Sequence, residues 1–256
     1  MSLLEITVLL AAALIAGAMN AIAGGGTLLT FPALLAFGMP AIRANATSTL
    51  ALMVGIIGST YGYRAHLPVT GVWLRRFGVV SVIGSLIGAA LLTLTPEQAF
   101  EKLVPFLLLF ATLLFMAQSA FVRLAVREAH AITEAPAQIA LAAAGMFLVA
   151  IYGGYFGAGI GILMLSVLGL MGMRHIHEMN AVKTVVAVLI NSVATLYFVF
   201  AGLIEWPQAA VMTIGATAGY FSGAHLAQRV SQTTVRRLIT TIGFTISAVL
   251  FWRQFA

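Results

Sequence analysis

The sequence predicts an all-α integral membrane protein with two inverted five-segment repeats, each holding a glycine-broken short helix. Three observations predict it. The first is composition. Of 256 residues, 61% are hydrophobic and 8% are charged, with mean hydropathy +1.06. A soluble domain averages about 45–50% apolar and about 25% charged residues. Too few charges remain to cover a water-facing surface. That excludes an ordinary soluble enzyme, a disordered tail and a nucleic-acid binder. The second is length, which gives room for about eight to ten crossings of roughly 20 residues. The third is order: long, glycine break, short, long, long, long occurs twice.

The first segment covers residues 3–22. Ala16-Gly17-Ala18 looks like a leader cleavage site, but Glu5 is the only charge and no positive region precedes it. The reading is therefore a retained helix. Gly24-Gly25-Gly26 ends it, and a short segment, 27–37, follows. Segments 45–63, 77–95 and 103–123 complete the first half. A polar stretch, 127–136, links it to the second. That half runs 137–155, a break at Gly157-Ala158-Gly159, then 160–172, 179–200, 208–227 and 237–253. The two short segments are too short to cross and suit half or re-entrant helices. The chain is thus one integral membrane domain, 1–256, with repeats near 1–126 and 137–256.

One ungapped shift of 135 positions places Gly24 on Gly159, Gly26 on Gly161, Asn45 on Asn180, Thr49 on Thr184, and Gly84 and Gly88 on Gly219 and Gly223. The Asn match weighs most, because the chain has four Asn. Five segments are an odd number, so the repeats should be inverted. Net charge is +6, and its placement reads as topology. If the path changes side after every segment, Arg64, Arg75, Arg76, Arg123, Arg127, Arg174, Arg229, Arg236 and Arg237 share one side, against Arg43, Lys102 and Arg253. Basic loops mark the cytoplasmic side, so both termini are expected outside.

Two constellations carry candidate chemistry. Backbone that leaves helical geometry inside lipid must line protein or a water-filled cavity. A short helix starting there points its free N–H groups and positive dipole end into that cavity. Gly24, Gly25, Gly26 and Thr27, with Gly159 and Gly161, therefore predict an anion site. The bland alternative is helix packing through small residues. The second constellation is Asn45 and Thr49, matched by Asn180, Lys183 and Thr184. Asn and Thr four apart share a helix face. An intramembrane cation is costly, so Lys183 is a binding or gating candidate. Its alternatives are snorkelling to the interface or a pair with Glu178. His175 and His177 cannot share a helix face, so no metal site is expected. No nucleotide-binding loop, catalytic triad or carboxylate dyad is present, and no cofactor or enzyme activity is expected. With no cysteine there is no disulfide or thiol chemistry.

The stretch Asn20-Ala-Ile-Ala-Gly24 to Leu52, with its glycine triplet, Pro32 and Ala44-Asn45-Ala46-Thr47-Ser48, resembles the start of the TauE/SafE family of sulfite and sulfonate permeases. The second half looks like its diverged repeat, without the triplet's middle glycine (Ile160) and without the proline (Val167). The resemblance implies a bacterial-type plasma-membrane permease for small sulfur anions such as sulfite, thiosulfate or organosulfonates. The expected mechanism is alternating access at the repeat interface. A channel-like anion conductor is the first alternative and an intramembrane enzyme the second. The expected partners are a small anion and the lipid bilayer, with no nucleic acid; a homo-oligomer is left open.

Overall fold

The computed structural model describes residues 1–22, 25–62, 67–127, 136–171, 173, 176–226 and 232–255. Gly24, the linker between Arg127 and Pro136, and Arg64, His66, Arg174, His175 and Arg229 lie outside them. The described residues form helices and no strand. These are α1 (Leu3–Ile22), α2 (Thr27–Ala36), α3 (Ala41–Gly62), α4 (Leu67–Leu94), α5 (Glu97–Arg127), α6 (Pro136–Tyr155), α7 (Ile160–Leu170), α8 (Ile176–Phe200), α9 (Trp206–Leu226) and α10 (Gln232–Phe255).

Each expected segment is a helix, but several start earlier than hydropathy suggests. A helix does not stop where lipid does. α4 begins at Leu67 rather than residue 77, and its early turns anchor it: the Arg76 guanidinium stacks 5.4 Å over Trp73, which stacks on Phe77. α5 begins at Glu97, whose charge suits the positive end of the helix.

Among the described residues, six helices are long and apolar enough to span a bilayer: α1, α4, α5, α6, α8 and α10. α9, with 21 residues, is less apolar than these six, and the described apolar part of α3, Ala41–Ile56, is shorter than a span. From Ala41 to Leu52, α3 buries Asn45, Thr47, Ser48 and Thr49 as well as its apolar residues, so it faces protein all round.

α1 packs on α9 and α4 on α6; α3 packs on α9 and α4 on α8; α3 meets α8 and α5 meets α10. α2 lies against α1 and α3, and α7 against α6 and α8. Exchanging α1–α5 for α6–α10 turns each of these contacts into another of the set. Glycine sets the tightest seams. A Cβ on Gly84 would lie 2.7 Å from the Phe147 carbonyl oxygen, and one on Gly88 would run into that of Ile151. Likewise Gly219 abuts the Leu14 carbonyl, and a Cβ on Gly223 would come 2.5 Å from Ala18 Cα. Small residues let backbones approach where lipid gives no hydrophobic drive for helices to associate.

Each short helix returns to the end its long partner came from. Glu5 of α1 lines one cavity, about 170 Å³, with Phe37–Pro40 beyond α2 and with Glu205 and Gln208. In the second half a Cβ on Gly153 would lie 3.4 Å from Ile160 at the start of α7, and one on Gly145, earlier in α6, 3.3 Å from Val167 near its end; Met171 and Met173 beyond α7 share a core with Ala142, Trp73 and Phe77. α4 begins at that second end and finishes at the first, near Glu97, whose carboxylate accepts the Ile42 N–H at 3.1 Å. At this first end Arg43 Nη1 donates to Glu205 Oε1 at 2.6 Å, with the two side chains 41% and 37% exposed. So exposed a pair adds little. Arg43→Ala should lower the melting temperature by less than about 3 °C.

Candidate functional site

The first break is held shut by an unassigned residue, Asn20. Its Oδ1 accepts the Gly26 N–H at 2.7 Å, and its Nδ2 donates to the Tyr220 hydroxyl on α9 at 2.8 Å. One of the orphan donors expected to face an anion is therefore already used. Gly25, at φ +92°, makes the turn. A Cβ on Gly26 would lie 2.9 Å from the Ala16 carbonyl oxygen. Hence α2 starts level with Ala16, roughly 20 Å along α1 from Leu3 at 1.5 Å per residue. Thr27 is the first residue of α2 and is partly buried. Asn20→Ala strands the Gly26 N–H and frees Tyr220. It should lower the melting temperature by about 3–8 °C.

The second break differs. Gly157 and Gly159 both adopt positive φ, +79° and +80°. The Tyr152 hydroxyl donates to the Ala158 carbonyl at 2.7 Å and braces the turn. The Ile162 N–H bonds Gly159 O at 3.0 Å, and the Ile160 N–H makes a long 3.4 Å bond to Gly157 O. The N–H groups of Ala158, Gly159 and Gly161 have no acceptor among the described residues. Three donors are thus left at the positive end of α7.

Lys183 sits at this end. A Cβ on Gly161 would lie 3.2 Å from Lys183 Cδ, so glycine makes room for the lysine stem. The ammonium donates to Asn180 Oδ1 at 2.9 Å. No ion pair joins it to Glu178 among the described residues. Gly159, Gly161, Asn180 and Lys183 all keep partial exposure within the bundle. Thr184 and Thr49 behave alike: each donates to the carbonyl four residues back, Asn180 O and Asn45 O, at 2.8 Å. Their protons are committed to their own helices. Asn45, 1% exposed, reaches the second break rather than the first: its Nδ2 donates to Tyr155 O at 3.0 Å.

The two breaks converge on one buried side chain, Phe115 of α5. A Cβ on Gly25 would lie 2.8 Å from its Cζ, and one on Gly159 3.8 Å from its Cε2. The ring fills the space between the glycines, so the two half-helix ends do not face one another openly. The structure therefore gathers Gly159, Gly161, Asn180 and Lys183 at α7, with Asn45 on the same break. Gly25 and Gly26 sit apart behind Phe115 and Asn20. Asn20 had a readable signal, being one of four Asn and six residues before Gly26. Phe115, one of 16 Phe, had none.

The sequence profile of the family described as "Sulfite exporter TauE/SafE" matches residues 9–250. A probable membrane transporter protein of Haemophilus influenzae is 26% identical over 255 residues, 97% of this chain and 95% of that one. The probable membrane transporter protein YfcA of Escherichia coli is 29% identical over 251 residues, 96% and 89% of the two chains. A similar protein of Sinorhizobium is 26% identical over 247 residues, 93% and 89%. No solved structure matches the chain. The family and these relatives are membrane transporters, not enzymes. With its all-helical fold, its six apolar span-length helices and a profile match along nearly its whole length, the chain belongs to the TauE/SafE sulfite exporter family of membrane transporters.

Proposed function

We propose that the protein is a secondary transporter for small sulfur-containing anions such as sulfite, thiosulfate or organosulfonates, and that the anion binds at the N-terminal end of α7. One observation carries this reading: Lys183 lies against Gly161 where the Ala158, Gly159 and Gly161 N–H groups are unpaired. A pyramidal or tetrahedral oxyanion offers several acceptor oxygens and negative charge to that set. The attraction must stay modest, or the anion would not leave. The family name supplies the sulfur chemistry.

The transport step is alternating access between two inverted repeats, near residues 1–126 and 137–256. The exchangeable helix contacts and the two hairpins opening at opposite ends of α4 support it. Nine basic residues against three favour both termini outside, and the family likeness favours the plasma membrane.

Counterflow in proteoliposomes tests the reading. Internal unlabelled sulfite or thiosulfate should accelerate saturable entry of the labelled anion, with uptake far below channel rates. A non-saturating conductance, or no acceleration by internal anion, would overturn it.

A further inference from the structure

We infer that the C-terminal end of α6 is a binding site for a monovalent cation, built on Asn45. The last turn of a helix carries carbonyls with no partner in their own helix and a partial negative charge. In α6 the Tyr152 carbonyl accepts both the Phe156 and Gly157 N–H groups, and the Tyr155 carbonyl takes Asn45 Nδ2. Between them, the carbonyls of Gly153 and Gly154 are buried and accept no hydrogen bond among the described residues.

Asn45 adds an independent observation. Its side chain is docked on this helix end, and its Oδ1 is buried with no partner. The amide cannot be turned round, because Oδ1 would then face the Tyr155 carbonyl. Buried polar atoms are nearly always satisfied, so an unpaired acceptor on a side chain docked at this helix end calls for a donor or a cation to fill it.

The other half shows what that group is like. Asn180, the match of Asn45 at the 135-residue shift, has its Oδ1 on the Lys183 ammonium. The match of Lys183 is Ser48, which is neutral and turned away: its hydroxyl lies 2.6 Å from that of Thr30. One half carries a tethered cation on its Asn oxygen; the other carries the oxygen and no cation. The donors are neutral oxygens with no carboxylate among them, which suits Na⁺ better than a divalent ion. Half-helix carbonyl ends are where broken membrane helices hold sodium. The site rests on the α6 end alone, not on the anion reading.

The test uses the purified full chain in detergent, at constant chloride and with no sulfur anion. Replacing choline chloride by NaCl should raise the melting temperature saturably by about 5 °C, and KCl should give less than half of that. Asn45→Ala should lose the response; if it does not fold, Asn45→Ser serves. Ser48→Lys, which supplies a tethered ammonium, should lose it too. Lys183→Ala should keep it, which separates failure of this site from failure of the anion site. Equal melting in sodium, potassium and choline would overturn the proposal. So would a full sodium response in both the Asn45 and Ser48 variants.

Discussion

Lys183→Ala should reduce the initial rate of anion uptake into proteoliposomes by about 30-fold or more, with the yield of folded protein unchanged. The charge is the reason. Two unit charges about 4 Å apart at an effective dielectric near 20 attract by about 4 kcal/mol. Losing half of that is a factor of about 30 in binding. The fold should tolerate the change, since a cation inside a membrane helix costs a few kcal/mol to place. Asn180 Oδ1 loses its partner, which offsets part of that relief. Lys183→Met separates charge from packing. Its unbranched stem still lies against Gly161, yet it should transport no better than the Ala variant. Full activity in Lys183→Met would mean that the stem, not the ammonium, is what α7 needs.

Gly219→Val is expected to abolish folded protein. A side chain there runs into the Leu14 carbonyl, and its atoms also meet Ala18 N at 3.0 Å from the Cβ position. Those are backbone atoms of α1, and they yield only if the whole helix moves away. Separating α1 from α9 opens the seam along Gly215, Gly219 and Gly223. The cost exceeds the 1–3 kcal/mol typical of overpacking a core with flexible neighbours. Gly88→Val should do the same to the α4–α6 seam. Gly71→Ala is the control: a Cβ there meets nothing within 4 Å. It should be neutral or stabilising by up to about 1 kcal/mol, the helix preference of Ala over Gly. Size-exclusion profiles and thermal melts of the three variants check this.

Much of the helix plan was legible because lipid demands long apolar runs and glycine interrupts them. What hydropathy missed has physical causes. α4 continues through Arg75 and Arg76 because a helix may leave the bilayer without ending, and an arginine can stack on Trp73 as it does so. The polar residues of α3 are buried against protein; the Ser48 hydroxyl, for example, lies 2.6 Å from that of Thr30 on α2.

The candidate site was legible in kind but not in arrangement. Glycine breaks and an intramembrane lysine stand out in any apolar sequence. How each break uses its donors does not. That depends on Asn20 capping the Gly26 N–H in the first and on Tyr152 bracing a carbonyl, not an N–H, in the second. Equally hidden was Phe115, more than 40 residues from either glycine yet wedged between them. The Glu178 pair, weighed as an alternative for Lys183, does not form among the described residues. Glu178 sits five positions before Lys183, whereas Asn180 lies three before, on the same helix face, and takes the bond.

The most direct test is to locate a heavy-atom analogue. Crystals grown with selenite or selenate, stand-ins for the sulfur oxyanions, would be measured at the selenium absorption edge. The account predicts one dominant anomalous peak beside the N-terminal end of α7, within hydrogen-bond reach of Lys183 Nζ and the Gly161 N–H. A dominant peak at the α2 end near Gly26, or in the cavity beside Glu5 and Glu205, would contradict it.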